Sequence, residues 1–161
     1  MAADLEDTLY LDVPAGRVVI EMRPDLAPGH CAHIKALVRT GFYDGIVFHR
    51  VIEGFMAQTG DPTGTGSGGS GGRLKAEFNS EPHVRGTLSM ARTSDPDSAD
   101  SQFFICFADA RFLDRQYTVW GKVISGMEHV DAIKKGSQAA NGAVTNPDAI
   151  VKMQVAADAA S

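Results

Sequence analysis

Residues 101–107 (SQFFICF) contain the pattern that decides the fold. Successive side chains of a β-strand point to opposite faces, so Phe103 and Ile105 would share one face and Gln102 and Phe104 the other. The first face is apolar and predicts a core. The second face carries a phenylalanine beside a glutamine, which suits a shallow apolar recess with a polar rim. Packing beneath a loop or a helix explains that second face equally well.

Most of the remaining chain also consists of short strand-like segments. Residues 8–23 alternate apolar and polar side chains on both sides of a Pro-Ala-Gly turn, which predicts a hairpin. Amphipathic helices are predicted over residues 28–40 and 127–136, each ending near a glycine. Further strands are predicted at residues 46–48, 55–57, 86–90, 117–124 and 150–155.

This pattern of about eight short strands and two helices favours an antiparallel β-barrel or sandwich. A doubly wound parallel sheet would need a helix between most pairs of strands. Glycines at strand corners, such as Gly45 and Gly54, favour the barrel. A chain of 161 residues is expected to form one domain over residues 1–161.

Composition and charge exclude several classes of protein. The net charge of −5 argues against nucleic-acid binding, because phosphate contacts need a basic face. No apolar run approaches the roughly 18 residues of a membrane helix, and the acidic start MAADLED is unlike a signal peptide. We therefore expect a soluble, cytoplasmic protein with no nucleic-acid or membrane partner. Cys31 and Cys106 are expected to be buried free thiols in a reducing compartment.

The glycine-rich loop, residues 63–72 (TGTGSGGSGG), is predicted to be a flexible surface segment because it has no side chain that can pack. It matches dinucleotide-binding and nucleophile-elbow patterns, but the strand and helix that those motifs require are not predicted around it. His30 and His33 are interpreted as a partly exposed helix pair, and the aspartates of residues 95–100 as a solvated turn. We predict no metal and no cofactor.

Residues 48–58 (FHRVIEGFMAQ) place an arginine, two large apolar residues and a glutamine close together. Extended to residue 66 (FHRVIEGFMAQTGDPTGTG) and taken together with residues 86–92 (GTLSMAR), 101–107 and 112–124 (FLDRQYTVWGKVI), they make the chain resemble the cyclophilin family of peptidyl-prolyl cis-trans isomerases. The resemblance extends over roughly residues 8–155, and the compact glycine-rich loop and the MART tetrapeptide are similar to the bacterial branch. It implies a closed eight-stranded antiparallel β-barrel capped by two α-helices, with the site on the outer surface.

The resemblance also implies roles for individual residues. Arg50 would supply the catalytic guanidinium, and Gln58 would orient Arg50 and the substrate. Substrate-binding roles are implied for Phe55, Met56, Ala91, Arg92, Thr93, Gln102, Phe104, Phe112, Leu113 and Tyr117. The apolar members at positions 55, 56, 104 and 113 would hold the proline ring, while Gln102 and the backbone near Ala91 would hold the residues before the proline.

Local geometry sets one condition on this assignment. Simple alternation along a strand places Phe55 opposite Met56 and Gln58. A bend or bulge near Met56 is therefore needed to bring the three side chains to one surface.

The residue types suit the reaction that the resemblance implies. Rotation about an Xaa-Pro bond must break amide resonance, a barrier of about 18–20 kcal/mol, and no covalent bond is made or broken. The prolyl nitrogen becomes pyramidal in the twisted transition state, so a guanidinium that donates to it stabilises that state more than the ground state. No nucleophile, metal or cofactor is needed. Expected substrates are proline-containing peptides and unfolded or flexible protein chains.

The chain departs from the family's common pattern beside the expected pocket. Phe112 stands where many members have tryptophan, and Tyr117 where many have histidine. Phenylalanine lacks the indole N–H donor, so we expect weak cyclosporin binding with peptide turnover less affected. Arg92 adds a cation where the family has an uncharged residue and, with Glu53, is expected to bias substrate choice. Trp120 is expected to pack in the core.

Two functions from different classes follow. The first is a monomeric isomerase that assists protein folding in the cytoplasm. The second is a chaperone or binding module in which the same pocket docks proline-containing peptides and turnover is incidental. The presence of both Arg50 and Gln58 favours the isomerase, because binding alone would not require that pair.

Overall fold

Eight antiparallel strands form one sheet within residues 5–159, the part of the chain described by the structure, which is a computed structural model. The strands are β1 (Thr8–Val13), β2 (Gly16–Met22), β3 (Arg50–Ile52), β4 (Met56–Thr59), β5 (Thr87–Met90), β6 (Phe103–Cys106), β7 (Val119–Ser125) and β8 (Lys152–Val155). The α-helices of this range are α1 (Pro28–Arg39), α2 (Met127–Asp131) and α3 (Ala156–Ala159). Short 3₁₀ turns lie at Leu5–Asp7, Arg111–Leu113 and Gln138–Ala140. The mainly β architecture and both expected helices are confirmed, but α2 ends at Asp131 and not near Gly136. Helix α3 was not predicted.

The hairpin of β1 and β2 forms because the apolar residues of the two strands alternate in matching register. Leu9 pairs with Ile20 and Leu11 with Val18, and all four side chains are fully buried. A shift of one residue would turn this whole set toward solvent, so burial holds the register. The predicted hairpin is therefore confirmed.

The sheet is open, so the expectation of a closed barrel is wrong. Its strand order is β3-β4-β6-β5-β7-β2-β1-β8, and within the described residues no ladder joins β3 to β8. Residues 46–48, predicted as a strand, form only an isolated bridge between Val47 and Ala149. Gly45 has a φ of +81° on one side of this bridge, and Pro147, which has no N–H, lies on the other. Both residues interrupt regular pairing, and the result is a curled half-barrel.

The two faces of β6 belong to different clusters. Phe103 and Ile105 lie in the main core, where the ring of Phe103 meets that of the fully buried Trp120 edge-on at 5.4 Å. Phe104 and Cys106 lie in a second, smaller cluster on the other face. The predicted division of β6 and the core position of Trp120 are therefore confirmed.

Helix α1 covers the sheet with an apolar face. Its buried residues include Cys31 and Ile34, and burial raises the pKa of the Cys31 thiol to about 12. Cys106 is likewise buried and free, as expected. No helix within residues 5–159 is long and apolar enough to cross a membrane. The acidic start of the chain, on which the expectation about targeting rests, lies partly in residues 1–4, outside the described range.

Two carboxylates hold the glycine-rich loop, which was predicted to be flexible. Asp61 accepts a hydrogen bond from the backbone N of Thr63 at 2.8 Å, and Asp100 accepts one from the backbone N of Ser70 at 2.5 Å. Burial alone would raise the pKa of Asp61, but hydrogen bonds led by those from Thr63 bring it well below the usual range. The glycine-rich loop is therefore anchored to the rest of the molecule by hydrogen bonds and is not a flexible segment. The composition of the loop could not reveal the anchor at Asp100, because that residue lies about 30 residues further along the chain.

Candidate active site

A small cavity opens on the outer face of the sheet, beside the second cluster. Its volume of about 140 Å³ is below the range of about 300–1,000 Å³ typical of drug-sized ligands. The residues that line it are Arg50, Phe55, Met56, Gln58, Ala91, Arg92, Phe104, Leu113 and Tyr117. All of them are among the site residues named from the sequence, so folding brings together positions that are far apart in the chain. We call this space the first cavity.

Three predicted site residues lie outside the lining of the first cavity. Thr93 and Gln102 line a larger neighbouring space of about 520 Å³, the second cavity, whose wall includes the glycine-rich loop. Phe112 is 68% exposed, and its ring lies 5.6 Å from that of Phe55. Phe112 therefore extends the apolar rim of the first cavity outward from Phe55.

Strand register produces the row of side chains at the centre of the site. Arg50 of β3 pairs with Gln58 of β4, and Gln58 pairs with Phe104 of β6. Facing residues of adjacent strands project to the same side of a sheet, so a cation, an amide and an aromatic ring lie side by side. The register of the short strands β3, β4 and β6 therefore places these three side chains in one row.

The turn between β3 and β4 brings Phe55 to the same surface. Residues 53–55 form this turn, and Gly54 within it has a φ of +76°, a conformation that glycine adopts without steric cost. Phe55 therefore precedes the alternating strand, and its ring reaches the first cavity together with Met56. The predicted bend is confirmed, as a turn and not as a bulge.

A chain of hydrogen bonds runs along the polar side of the cavity. Arg50 donates from Nη1 to Oε1 of Gln58 at 3.3 Å. Gln58 in turn donates from Nε2 to Oε1 of Gln102 at 2.9 Å, and Gln102 donates to two backbone carbonyls of the glycine-rich loop, both at 2.9 Å. The anchored loop thus holds the side chain of Gln102, and Gln102 in turn holds the Gln58 amide that contacts Arg50.

Asn141 holds the other side of the Arg50 guanidinium. Nε of Arg50 donates to the backbone oxygen of Asn141 at 3.0 Å, and Nη2 donates to its side-chain oxygen at 3.2 Å. Asn141 has a φ of +56°, a conformation that asparagine tolerates better than most residues. The backbone N of Val51 donates to Gly142 at 2.8 Å, which keeps this segment against β3. Neutral acceptors therefore orient Arg50 from both sides.

A buried polar network supports the apolar floor of the cavity. The ring of Phe104 stacks on that of His83, with centroids 6.1 Å apart. His83 is fully buried; its Nδ1 lies 3.0 Å from Oδ1 of Asp114 and its Nε2 lies 2.9 Å from Oγ of Ser89. Burial lowers the pKa of His83, although Asp114 opposes the shift. The floor is therefore backed by a neutral histidine at neutral pH.

Asn141 and His83 were not identified from the sequence. Neither lies in an alternating strand or in the segments that carry the family resemblance. The pair Asn141-Gly142 is typical of a turn but does not reveal which side chain the turn contacts. Only the folded chain brings these residues to the site.

The histidines and aspartates interpreted above as a helix pair and a solvated turn have separate structural partners. The His30 side chain is fully buried and contacts Glu77 at 2.5 Å, whereas His33 contacts Asp100 at 2.9 Å. The interpretation of both histidines as partly exposed is therefore wrong for His30. The interpretation of a solvated turn is also wrong for Asp100, which anchors the glycine-rich loop. Within residues 5–159, no group of three or more His, Cys, Asp or Glu side chains could hold a metal ion.

Comparisons with known proteins agree with this fold. The family described as cyclophilin type peptidyl-prolyl cis-trans isomerase/CLD matches residues 8–155. A probable peptidyl-prolyl cis-trans isomerase of Brucella suis is 57% identical over 169 residues, covering 98% of this chain and 86% of the relative. A peptidyl-prolyl cis-trans isomerase-like protein of Rattus norvegicus is 45% identical, over 80% of this chain and 81% of that protein.

Solved structures show the same architecture. Cyclophilin AquaCyp293 of Hirschia baltica matches with a TM-score of 0.87 and 30% identity, over 98% of this chain and 77% of that protein. A cyclophilin-type isomerase of Cryptosporidium parvum, crystallised in the presence of the dipeptide Ala-Pro, matches with a TM-score of 0.84 and 29% identity, over 92% and 98% of the two chains. The chain belongs to the cyclophilin-type peptidyl-prolyl cis-trans isomerase family.

Proposed function

We propose that Arg50 accelerates rotation of Xaa-Pro bonds by donating a hydrogen bond to the prolyl nitrogen in the twisted transition state. The observation that carries this proposal is that the Arg50 guanidinium is held in a fixed position by neutral partners. It lines the first cavity, is oriented by Asn141 and Gln58, and forms no ion pair with a carboxylate in the described part of the chain. A donor that is positioned before the reaction needs little reorganisation when the lone pair of the nitrogen appears.

The side chains beside Arg50 suit the proline ring. Met56 and Phe104 are almost fully buried in the second cluster, while Phe55 and Leu113 pack against that cluster from the edge. An apolar recess can hold a pyrrolidine ring in place while the preceding carbonyl rotates. The Cryptosporidium relative crystallised with Ala-Pro supports a ligand of this kind.

The choice of arginine follows from its contacts. Its planar guanidinium has five N–H donors in a fixed arrangement, of which three contact Asn141 and Gln58. A lysine ammonium is a hydrated point charge on a flexible stem and could not be oriented in this way. We therefore assign Gln58 and Asn141 as positioning residues, and Gln102 as the residue that links Gln58 to the anchored loop.

The cellular role that we propose is assistance to protein folding. Uncatalysed isomerisation takes tens to hundreds of seconds, slow enough to limit folding, so unfolded or flexible chains with exposed Xaa-Pro bonds are the natural substrates. We propose that the protein acts as a monomer in the cytoplasm and binds cyclosporin weakly. A chaperone or docking role for the same cavity is the second candidate, favoured by the apolar surface that continues to the exposed Phe112.

NMR exchange between the cis and trans forms of a short Ala-Pro peptide tests the proposal. We expect acceleration by the wild type, a loss of about 100-fold or more for Arg50→Ala, and retained peptide binding in that variant. The matched control is Arg17→Ala, on the β1–β2 hairpin where Arg17 pairs with Asp12, and it should remain fully active. Binding by the wild type without acceleration would instead establish a docking module.

A further inference from the structure

The boundary between the two cavities carries a cation without a carboxylate partner. Arg92 lines both cavities. Of the nine arginines in the chain, six pair with an aspartate or glutamate within the described residues. Arg92 is not among them, in a protein whose net charge is −5. Arg50 and the exposed Arg115 are the other two, so two of the three arginines without an acidic partner in the described residues line the first cavity.

Neutral groups hold the Arg92 guanidinium in place. Its Nε and Nη2 donate to the backbone oxygen of Gln116 at 3.0 and 2.6 Å, and its Nη1 donates to that of Thr93 at 2.9 Å. The guanidinium carbon also lies 4.6 Å from the centre of the Tyr117 ring. These contacts restrict the side chain without cancelling its charge. Two of its five N–H donors remain for a ligand.

The carboxylates near this boundary are bound to other groups. Asp95 pairs with Arg73 at 2.5 Å; Arg92 also helps to lower the pKa of Asp95, though the two form no ion pair. Asp100 pairs with His33 while it anchors the glycine-rich loop. The second cavity therefore has a positive border on the side of Arg92.

We propose that Arg92 is a specificity-determining residue that favours substrates with an acidic side chain on the N-terminal side of the proline. This inference rests on the proposed function. A peptide with its proline in the first cavity and its preceding residues in the second passes Arg92, because both cavities share this residue. A fixed cation attracts a carboxylate and repels an ammonium group, and at low ionic strength we expect a preference of about threefold to tenfold.

The test compares two peptides, Ac-Ala-Glu-Ala-Pro-Ala-NH₂ and Ac-Ala-Lys-Ala-Pro-Ala-NH₂, by NMR exchange and by titration of chemical shifts. The measured quantity is the ratio of kcat/KM for the Glu peptide to that for the Lys peptide. We expect a ratio of about three to ten for the wild type, about one for Arg92→Gln, and an inverted ratio for Arg92→Glu. Arg92→Lys should keep the wild-type preference, and salt should reduce it.

Arg17→Gln is the matched control, because it changes the net charge equally at a site outside both cavities. A ratio near one in the wild type, or a ratio that Arg92→Glu leaves unchanged, overturns the inference. A third peptide with alanine in place of Glu or Lys reports on the isomerase function itself. If that peptide binds without turnover, the isomerase function fails, and the ratio of dissociation constants for the charged pair still decides the role of Arg92. If no peptide binds, both proposals fail.

Discussion

The inner and outer faces of β6 differ in how their aromatic side chains are supported. On the inner face, Phe103 is completely buried among apolar residues, including Trp120. On the outer face, Phe104 borders an open cavity and rests on His83, whose ring nitrogens contact Asp114 and Ser89. The inner face gains stability from close packing. The outer face uses polar support to keep an apolar surface in place where a ligand can reach it.

Substitution of the two phenylalanines tests this comparison with the largest expected effect. Phe103→Ala should lower the free energy of unfolding by about 3–5 kcal/mol, because it leaves a cavity in a tightly packed core. Phe104→Ala should cost at least about 1 kcal/mol less, since one side of its ring already faces an opening. It should, however, abolish peptide binding. Urea unfolding and peptide titration measure the two quantities, and equal losses of stability would contradict the distinction.

Asn141 sharpens the comparison, because its contacts serve the outer face only. Asn141→Ala removes the acceptor of Arg50 Nη2, and we expect kcat to fall about tenfold with KM nearly unchanged. The melting temperature should fall by only about 2–4 °C per kcal/mol of strain, because alanine adopts the positive φ of Asn141 at a cost of about 1 kcal/mol while the backbone acceptor for Nε remains. Asn141→Asp keeps a side-chain oxygen but pairs the guanidinium with a carboxylate, so we expect it to remain less active than the wild type. A rise in KM at constant kcat would assign Asn141 to substrate binding instead of positioning.

The pH dependence of stability is a third way to separate the two faces. The pKa of His83 is lowered by burial, so the unfolded chain binds its proton more readily than the folded chain. Stability should therefore decrease as the pH falls below about 6.5, by at most about 1.4 kcal/mol per pH unit for this group. His30 and His49 contribute in the same direction.

Unfolding in urea at pH 7.5 and pH 5.5 measures this dependence. His83→Gln should have a shallower pH dependence than the wild type, whereas His129→Gln, a partly exposed histidine of α2, is the control. If His83→Gln retains the full pH dependence of the wild type, the network beneath Phe104 is not protonated in this range.

The smallest effect is expected at the rim of the outer face. Phe112→Trp adds an indole N–H donor beside Phe55, and we expect cyclosporin to bind about threefold more tightly. Turnover of an Ala-Pro peptide should stay within about twofold of the wild type, since Phe112 does not line the first cavity. An inhibition assay with both proteins measures the change. Nanomolar inhibition of the wild type would contradict the expectation of weak binding.

Several features of the fold were predictable because they depend on neighbours in the sequence. Alternation in residues 8–23 and in β6 predicts both faces of those strands, since side-chain direction follows from strand geometry alone. Helix α1 follows in the same way from its apolar spacing and from Pro28 at its start. The open edge between β3 and β8 was not predictable, because the chain there is irregular on both sides of the bridge at Val47.

The site likewise contains residues that the sequence identifies and residues that only the tertiary structure reveals. Arg50, Gln58 and Phe104 lie in segments whose residue types carry the family resemblance, so the sequence by itself determined the centre of the site and the family. Asn141, His83 and the free charge of Arg92 were decided by tertiary structure. Hydrogen bonds and ion pairs act over a few ångströms in space, and chain separation does not reveal which polar groups fold to within that distance. The sequence therefore specifies the chemistry available to this protein, and the fold decides which groups are oriented, neutralised or left free to act.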